Sequence, residues 1–298
     1  MNTQMNAPMS SLLLCRSMLM TCALHTRRYT RAAEVGADIC TIDLEDSVPE
    51  HAKEEARQHA LPFFLKRPPE GPVRALRINS LRTPAGLRDI LALLDSGARP
   101  DALFVPKVDS AQDVLILQGL LGERLAAVFF IVLIETAAGL CAVEEIATAS
   151  PRVRAITFGG ADFSAELGIS MAWENLLYAR SRTVVAATRA GIAALDAPYF
   201  ELHNQEGLRE ETLKSRALGF AGRVAVHPRQ VADINAEYAP APKVIERARR
   251  IVQAAEEHGG EIVVVDDDMI GPPMVLAARK LLALEQKILE KDGVLTGA

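Results

Sequence analysis

Six apolar runs in this chain each end in a residue able to hold a cation, carry charge or move a proton. They close as Thr41-Ile-Asp43-Leu-Glu45-Asp46, Leu76-Arg77-Ile-Asn79, Val105-Pro-Lys107, Leu133-Ile-Glu135-Thr136, Phe158-Gly-Gly-Ala-Asp162 and Ala225-Val-His227-Pro228. Glu135 and Asp162 are the most informative pair. Two converging carboxylates with room for water suit a hard divalent cation such as Mg²⁺, which takes oxygen ligands and keeps several waters. The competing reading is that each carboxylate caps the helix that follows it. Gly159 and Gly160, just ahead of Asp162, favour a close backbone approach to a ligand, so Glu135 and Asp162 are the expected metal ligands. Asp43, Glu45 and Asp46 put three carboxylates within four residues, which repel unless a cation or hydrogen bonds offset them. They hold metal-bound waters or an arginine, or they sit at a helix N-terminus favoured by its dipole.

Arg77 lies inside an apolar run, where an unpaired guanidinium is costly. Its fork suits a substrate carboxylate, an ion pair with Asp43 or Glu45, or both. Lys107 answers substrate charge or a carboxylate of the acidic cluster; adjacent acids and a metal site argue against a Schiff base there. His227 is a ligand, a positioning donor or a hydrogen-bonded structural histidine.

The elements that must position these residues alternate along the chain. Apolar runs at Met18–Thr21, Ile39–Asp43, Val73–Ile78, Ala102–Val105, Val128–Ile134, Ala155–Phe158, Ile192–Leu195 and Arg223–Val226 are each followed by a longer amphipathic stretch. Eight βα units imply parallel strands, because each return needs a crossover helix. In this span they predict a closed (β/α)8 TIM barrel over 12–238 rather than an open sheet. Active sites of such barrels lie at the C-terminal ends of the strands, the rim on which the polar run-ends converge. Gly36, Gly97, Gly191 and Gly219 stand where left-handed caps end helices; Pro49 and Pro84 stand where first turns begin. A loop is expected between Phe158 and Trp173. Residues 1–11 read as a flexible tail, and 239–298 as a C-terminal helical extension. The extension comprises a proline-bearing linker, a helix over Val244–Glu257, an extended run Glu261–Val265 and a helix over Pro273–Lys291.

The composition fits this picture. Of 298 residues 49% are hydrophobic and 24% charged, enough for a sizeable core, and the net charge of −5 gives no support for nucleic-acid or anionic-membrane binding. No uncharged apolar stretch reaches the ~18 residues of a membrane span. The apolar run from Ser11 to Met20 is interrupted by Arg16 and has no Lys or Arg before it, unlike a signal peptide. The four cysteines, Cys15, Cys22, Cys40 and Cys141, form no CxxC pair and read as reduced thiols of a cytoplasmic protein.

The run Gly36-Ala-Asp-Ile-Cys-Thr-Ile-Asp-Leu-Glu-Asp-Ser-Val48 resembles the acidic motif of citrate lyase β-subunit-like proteins of the HpcH/HpaI aldolase superfamily. So do Leu76-Arg-Ile-Asn79, Phe104-Val-Pro-Lys-Val108, Ile134-Glu-Thr-Ala-Ala-Gly139, Phe158-Gly-Gly-Ala-Asp-Phe163, Asp196-Ala-Pro-Tyr199 and Ala225-Val-His-Pro-Arg-Gln230. The resemblance implies a (β/α)8 barrel, trimeric or hexameric, with Mg²⁺ at Glu135 and Asp162 and an oxo-acid carboxylate on Arg77. It implies a carbon–carbon lyase cleaving a malyl-, citramalyl- or citryl-type thioester into an acyl-CoA and a 2-oxo acid. On this reading Arg77, Glu45, Asp46 and Asp43 are catalytic, while Arg77, Arg16, Lys107, Gly160 and Ala161 bind substrate.

Two departures stand out. Many relatives carry Val-Pro-Gly after the first strand, where this chain has Met20-Thr-Cys-Ala-Leu-His25. Many place a catalytic aspartate in a C-terminal Met-Ile-Asp motif, where this chain reads Met269-Ile-Gly271. Asp266, Asp267 or Asp268 replaces it, or these three form an exposed acidic turn; His25 is a further candidate acid or base. An aldolase acting on a free hydroxy-oxo acid and a non-catalytic oxo-acid- and metal-binding subunit are the alternatives.

Overall fold

The computed structural model describes residues 14–66, 71–259 and 261–292; the tail expected over 1–11 lies outside them. The chain divides into a unit Cys15–Tyr238 and a second unit from Ala239 onward.

The first unit is a closed barrel of eight parallel strands in chain order. The strands are β1 (Ser17–Cys22), β2 (Ile39–Asp43), β3 (Val73–Arg77), β4 (Ala102–Val105), β5 (Phe129–Ile134), β6 (Val153–Phe158), β7 (Ala193–Asp196) and β8 (Gly222–Ala225). Between and after them run α1 (Arg27–Glu34), α2 (Lys53–Ala60), α3 (Pro84–Ser96), α4 (Ala111–Leu121), α5 (Ala137–Cys141), α6 (Val143–Thr148), α7 (Gly160–Leu167), α8 (Trp173–Ala190), α9 (Gln205–Leu218) and α10 (Pro228–Tyr238). Strands covered on both faces read as near-continuous apolar runs, and Ile39, Ile42, Leu76, Leu103, Phe130, Val132 and Ile156 are fully buried here. The expected cap glycines at 36, 97, 191 and 219 all have positive φ.

The register aligns the chemistry. Cys22 pairs with Asp43, Asp43 with Arg77, and Arg77 with Phe104, so these residues form one row across four strands at their C-terminal ends. Closure is made by β1 and β8, with Ser17 opposite Arg223. Gly222 permits that seam: a Cβ there would lie 1.7 Å from the Cys15 carbonyl oxygen.

Two expectations change. The segment after Phe158 is not all loop, because Gly160–Leu167 forms α7. The amphipathic stretch after β5 is two short helices interrupted at Ala142.

The second unit holds α11 (Pro242–Glu257), β9 (Val263–Val265), β10 (Asp268–Ile270) and α12 (Pro272–Lys291). Its core is built from Ala248, Ile251, Val263, Val265, Ile270 and Ala278. The extended run is thus half of an antiparallel hairpin. Asp266 and Asp267 both take positive φ, the two-residue pattern that matches strand twist in tight hairpins. Asp266 accepts from Arg250 at 2.6 Å, and Asp268 pairs with Arg247. The three aspartates stand at this turn, with two of them engaged by arginines. No helix among the described residues is long and apolar enough to cross a membrane.

Candidate active site

A cavity of about 950 Å³ opens at the C-terminal ends of the barrel strands. Asp43, Asp46, Arg77, Glu135, Gly160, Ala161, Asp162 and His227 all line it, as their places at strand ends require.

The Asp43–Arg77 pair forms one wall. Arg77 Nε and Nη2 donate to the two carboxylate oxygens of Asp43 at 2.6 and 2.7 Å. Asp43 also accepts the backbone N–H groups of Glu45 at 2.8 Å and Ser47 at 3.3 Å. Burial opposes its charge, but Arg77 and these bonds outweigh it and hold the carboxyl below the usual range. Arg77 Nη1 lies 2.7 Å from Glu45 and 3.3 Å from Asp46. Glu45 Oε2 is buried and, despite that proximity, makes no aligned hydrogen bond. Burial pushes its carboxyl up to about 8, with Arg77 pulling the other way and Asp46 and Glu135 adding to the rise.

The facing wall carries Glu135 and Asp162. Neither caps a helix with its side chain: Thr136 does so for α5, accepting from Gly139 N–H, and Asp162 lies in the first turn of α7, where the dipole favours a carboxylate. Glu135 Oε1 accepts the Lys107 backbone N–H at 2.9 Å. Lys107 Nζ lies 2.9 Å from Asp162 and 3.6 Å from Glu135. Lys107 thus contacts the Glu135–Asp162 pair directly, while Glu45 of the acidic cluster reaches it only through its charge. Burial pushes the Glu135 carboxyl up to about 7, against Lys107 and with Asp162. For Asp162 burial is overcome by Lys107, which holds its carboxyl down. Gly159 has a definite steric reason: a Cβ there would fall 2.4 Å from Glu135 Cβ. The glycine makes room for the Glu135 side chain itself, so a ligand is not needed to explain it.

Among the described residues no three His, Cys, Asp or Glu side chains form a complete metal cage. Two carboxylates still fit a cation that keeps waters and takes a chelating substrate. Thr157 Oγ1, on the cavity wall and buried, has no hydrogen-bond partner among the described residues.

Arg16 is the exception among the expected site residues. It precedes β1, at the opposite end of the barrel, where Nε and Nη2 donate to the Asp38 carboxylate at 2.9 and 3.0 Å. A residue before a parallel strand belongs to the far rim, and this buried fork is structural. Residues not singled out from the sequence also line the cavity: Thr157, Cys22, Phe200, Arg28, Arg31 and Arg229. Arg28 and Arg31 had a legible signal, since a spacing of three puts them on one helix face. With His25, His227 and Arg229 they make one side of the mouth basic.

A barrel of this topology, with its acidic pairs on the C-terminal rim, defines a class of enzymes. The family model for HpcH/HpaI aldolase/citrate lyase matches residues 16–228; the chain belongs to this family and is a carbon–carbon lyase. It is 34% identical over 255 residues to the L-malyl-CoA/beta-methylmalyl-CoA lyase of Rhodobacter capsulatus, covering 77% of this chain and 80% of that protein. Among solved structures, RipC from Yersinia pestis is 42% identical with a TM-score of 0.69, covering 78% of this chain and 98% of that one. CitE from Mycobacterium tuberculosis, solved with magnesium, acetoacetate and coenzyme A, is 30% identical with a TM-score of 0.78, covering 91% and 97%.

Proposed function

We propose that this lyase is Mg²⁺-dependent and cleaves a 3-hydroxyacyl-CoA thioester of malyl, citramalyl or citryl type into an acyl-CoA and a 2-oxo acid. The observation that carries the reading is one cavity with the Glu135–Asp162 pair on one wall and the Asp43-anchored Arg77 on the other. Its basic mouth suits the phosphates of a CoA thioester, which favours a thioester over a free hydroxy-oxo acid. The malyl-CoA lyase relative and the CitE complex point the same way.

Glu135 and Asp162 are the residues that would hold Mg²⁺, whose Lewis acidity would polarise the oxo-acid carbonyl. Arg77 pairs with the oxo-acid carboxylate. Asp43 positions Arg77 and takes no part in proton transfer, because its carboxylate is fully engaged. Glu45, with its carboxyl raised to about 8, carries a proton at neutral pH and hands it to the carbon of the departing thioester enolate, while the proton released from the substrate 3-hydroxyl as the carbon–carbon bond breaks and the oxo group forms restores the Glu45 carboxyl. Asp46, exposed beside it, adds the negative charge that keeps that proton in place. Lys107 meets substrate charge, and Gly160 and Ala161 offer backbone N–H groups from the first turn of α7. The chain works as a homotrimer or hexamer; a monomer by light scattering at micromolar concentration would count against this.

The test is incubation with Mg²⁺ and malyl-, citramalyl- and citryl-CoA, following 2-oxo acid release, with Glu135→Ala as control. Metal-dependent release absent from the control is expected. No release, with oxaloacetate or pyruvate still bound in a Mg²⁺-dependent way, would favour a non-thioester substrate or a binding role.

A further inference from the structure

Lys107 has an arrangement that substrate binding alone does not explain. It is one of three non-glycine residues with positive φ among those described, at +53°, a conformation that costs energy and persists where its surroundings demand it. Its backbone N–H holds Glu135 Oε1 at 2.9 Å, while its ammonium reaches between Glu135 and Asp162. The side chain is one-third exposed, so it has somewhere to go.

We propose that the Lys107 ammonium is a built-in counter-ion occupying the cation position between Glu135 and Asp162, and that a divalent metal displaces it. This rests on Glu135 and Asp162 being the metal ligands. Oxygens that bind Mg²⁺ do so at about 2.0–2.1 Å. An ammonium 2.9 Å from one of the same carboxylates would face the ion at close range with like charge. The backbone bond to Glu135 is independent of the side chain. It keeps the carboxylate placed while the ammonium leaves, so the two contacts of one residue divide the work. The ammonium offsets the repulsion between the two carboxylates, and a metal that takes its place frees one ammonium inside the cavity.

Two measurements test this. The first is mass-spectrometric acylation of lysine amines in the wild-type protein with and without saturating Mg²⁺, with Lys243 and Lys280 as internal references. Lys107 labelling should rise severalfold on metal addition, and Glu135→Gln should abolish the rise. The second is calorimetric Mg²⁺ titration of Lys107→Met, which should bind about tenfold more tightly once the like charge is gone. Unchanged or reduced labelling, or equal or weaker Mg²⁺ binding by Lys107→Met, overturns the proposal while leaving the metal site standing. Absence of Mg²⁺ binding by the wild type overturns the metal site and this proposal together.

Discussion

Replacing Asp43 by asparagine changes one buried charge with almost no change in shape, and its cost follows from the bonds around it. The carboxylate takes two guanidinium bonds from Arg77 and two backbone N–H groups of the following loop. An asparagine has one oxygen for these donors, and its amide must point at a donor on one side or the other. Removing one partner of a buried ion pair costs about 3–5 kcal/mol. Asp46 still faces Arg77 Nη1 at 3.3 Å, which places the loss at the low end, ~3 kcal/mol. At roughly 2–4 °C per kcal/mol for a domain of this size, thermal unfolding at pH 7 should shift down by about 10 °C. The sign with pH is fixed by the lowered carboxyl. Its contribution is fully present above the ordinary aspartate value of about 3.9 and is lost as pH falls through its lower folded value. Circular dichroism melts from pH 3 to pH 8 should therefore show a gap between wild type and variant that is constant above pH 5. A variant within ~1 kcal/mol of wild type at pH 7, or a gap already closing near pH 5, would refute the assignment of Asp43 as the anchor of this wall.

Other consequences are open to direct measurement. Glu45 takes up its proton in the fold at about 8, well above its unfolded value, so stability declines as pH rises across that interval. Glu45→Gln should remove this decline in the unfolding midpoint between about pH 5 and pH 8, and an unchanged slope there would exclude Glu45 as its source. Gly159→Ala should push Glu135 aside, at an overpacking cost of about 1–3 kcal/mol, and weaken Mg²⁺ binding in calorimetry; wild-type affinity would show that the pocket absorbs the methyl. Arg28→Ala combined with Arg31→Ala should raise KM for a CoA thioester about tenfold through lost phosphate contacts. The corresponding pantetheine thioester, which has no nucleotide, should be unaffected, and equal effects on both would move the phosphates elsewhere.

The barrel was readable because its strands are buried and mostly apolar, while positions at and beyond their C-terminal ends are free to be polar. Asp43, Glu135, Asp162 and His227 show that logic directly. The same logic explains Arg16: a charged residue beside an apolar run looks alike at either end, and only chain direction separates the site rim from the far one. Lys107 was legible as a site residue, but its partners were not. β4 lies between β3 and β5 in the barrel, and the direction the Lys107 side chain takes is not encoded in any local pattern. The eight-residue α7 gives too little periodicity to stand out from a loop. The basic mouth was missed because Arg28 and Arg31 sit on an exposed helix, where arginine is the ordinary choice.

The seam at Gly222 bears on how this enzyme is made. Ser17 and Arg223 become neighbours only after some two hundred intervening residues have been synthesised, giving the closing contact a high contact order, which slows folding. Until β8 emerges from the ribosome, β1 and β7 are open sheet edges, the kind that recruit strands from other chains. A nascent chain stalled before residue 222 already carries Asp43, Arg77, Glu135 and Asp162 but has no closed barrel to hold them in one cavity. A chain that ends in the β7–β8 interval keeps both edges exposed, and exposed edges favour aggregation.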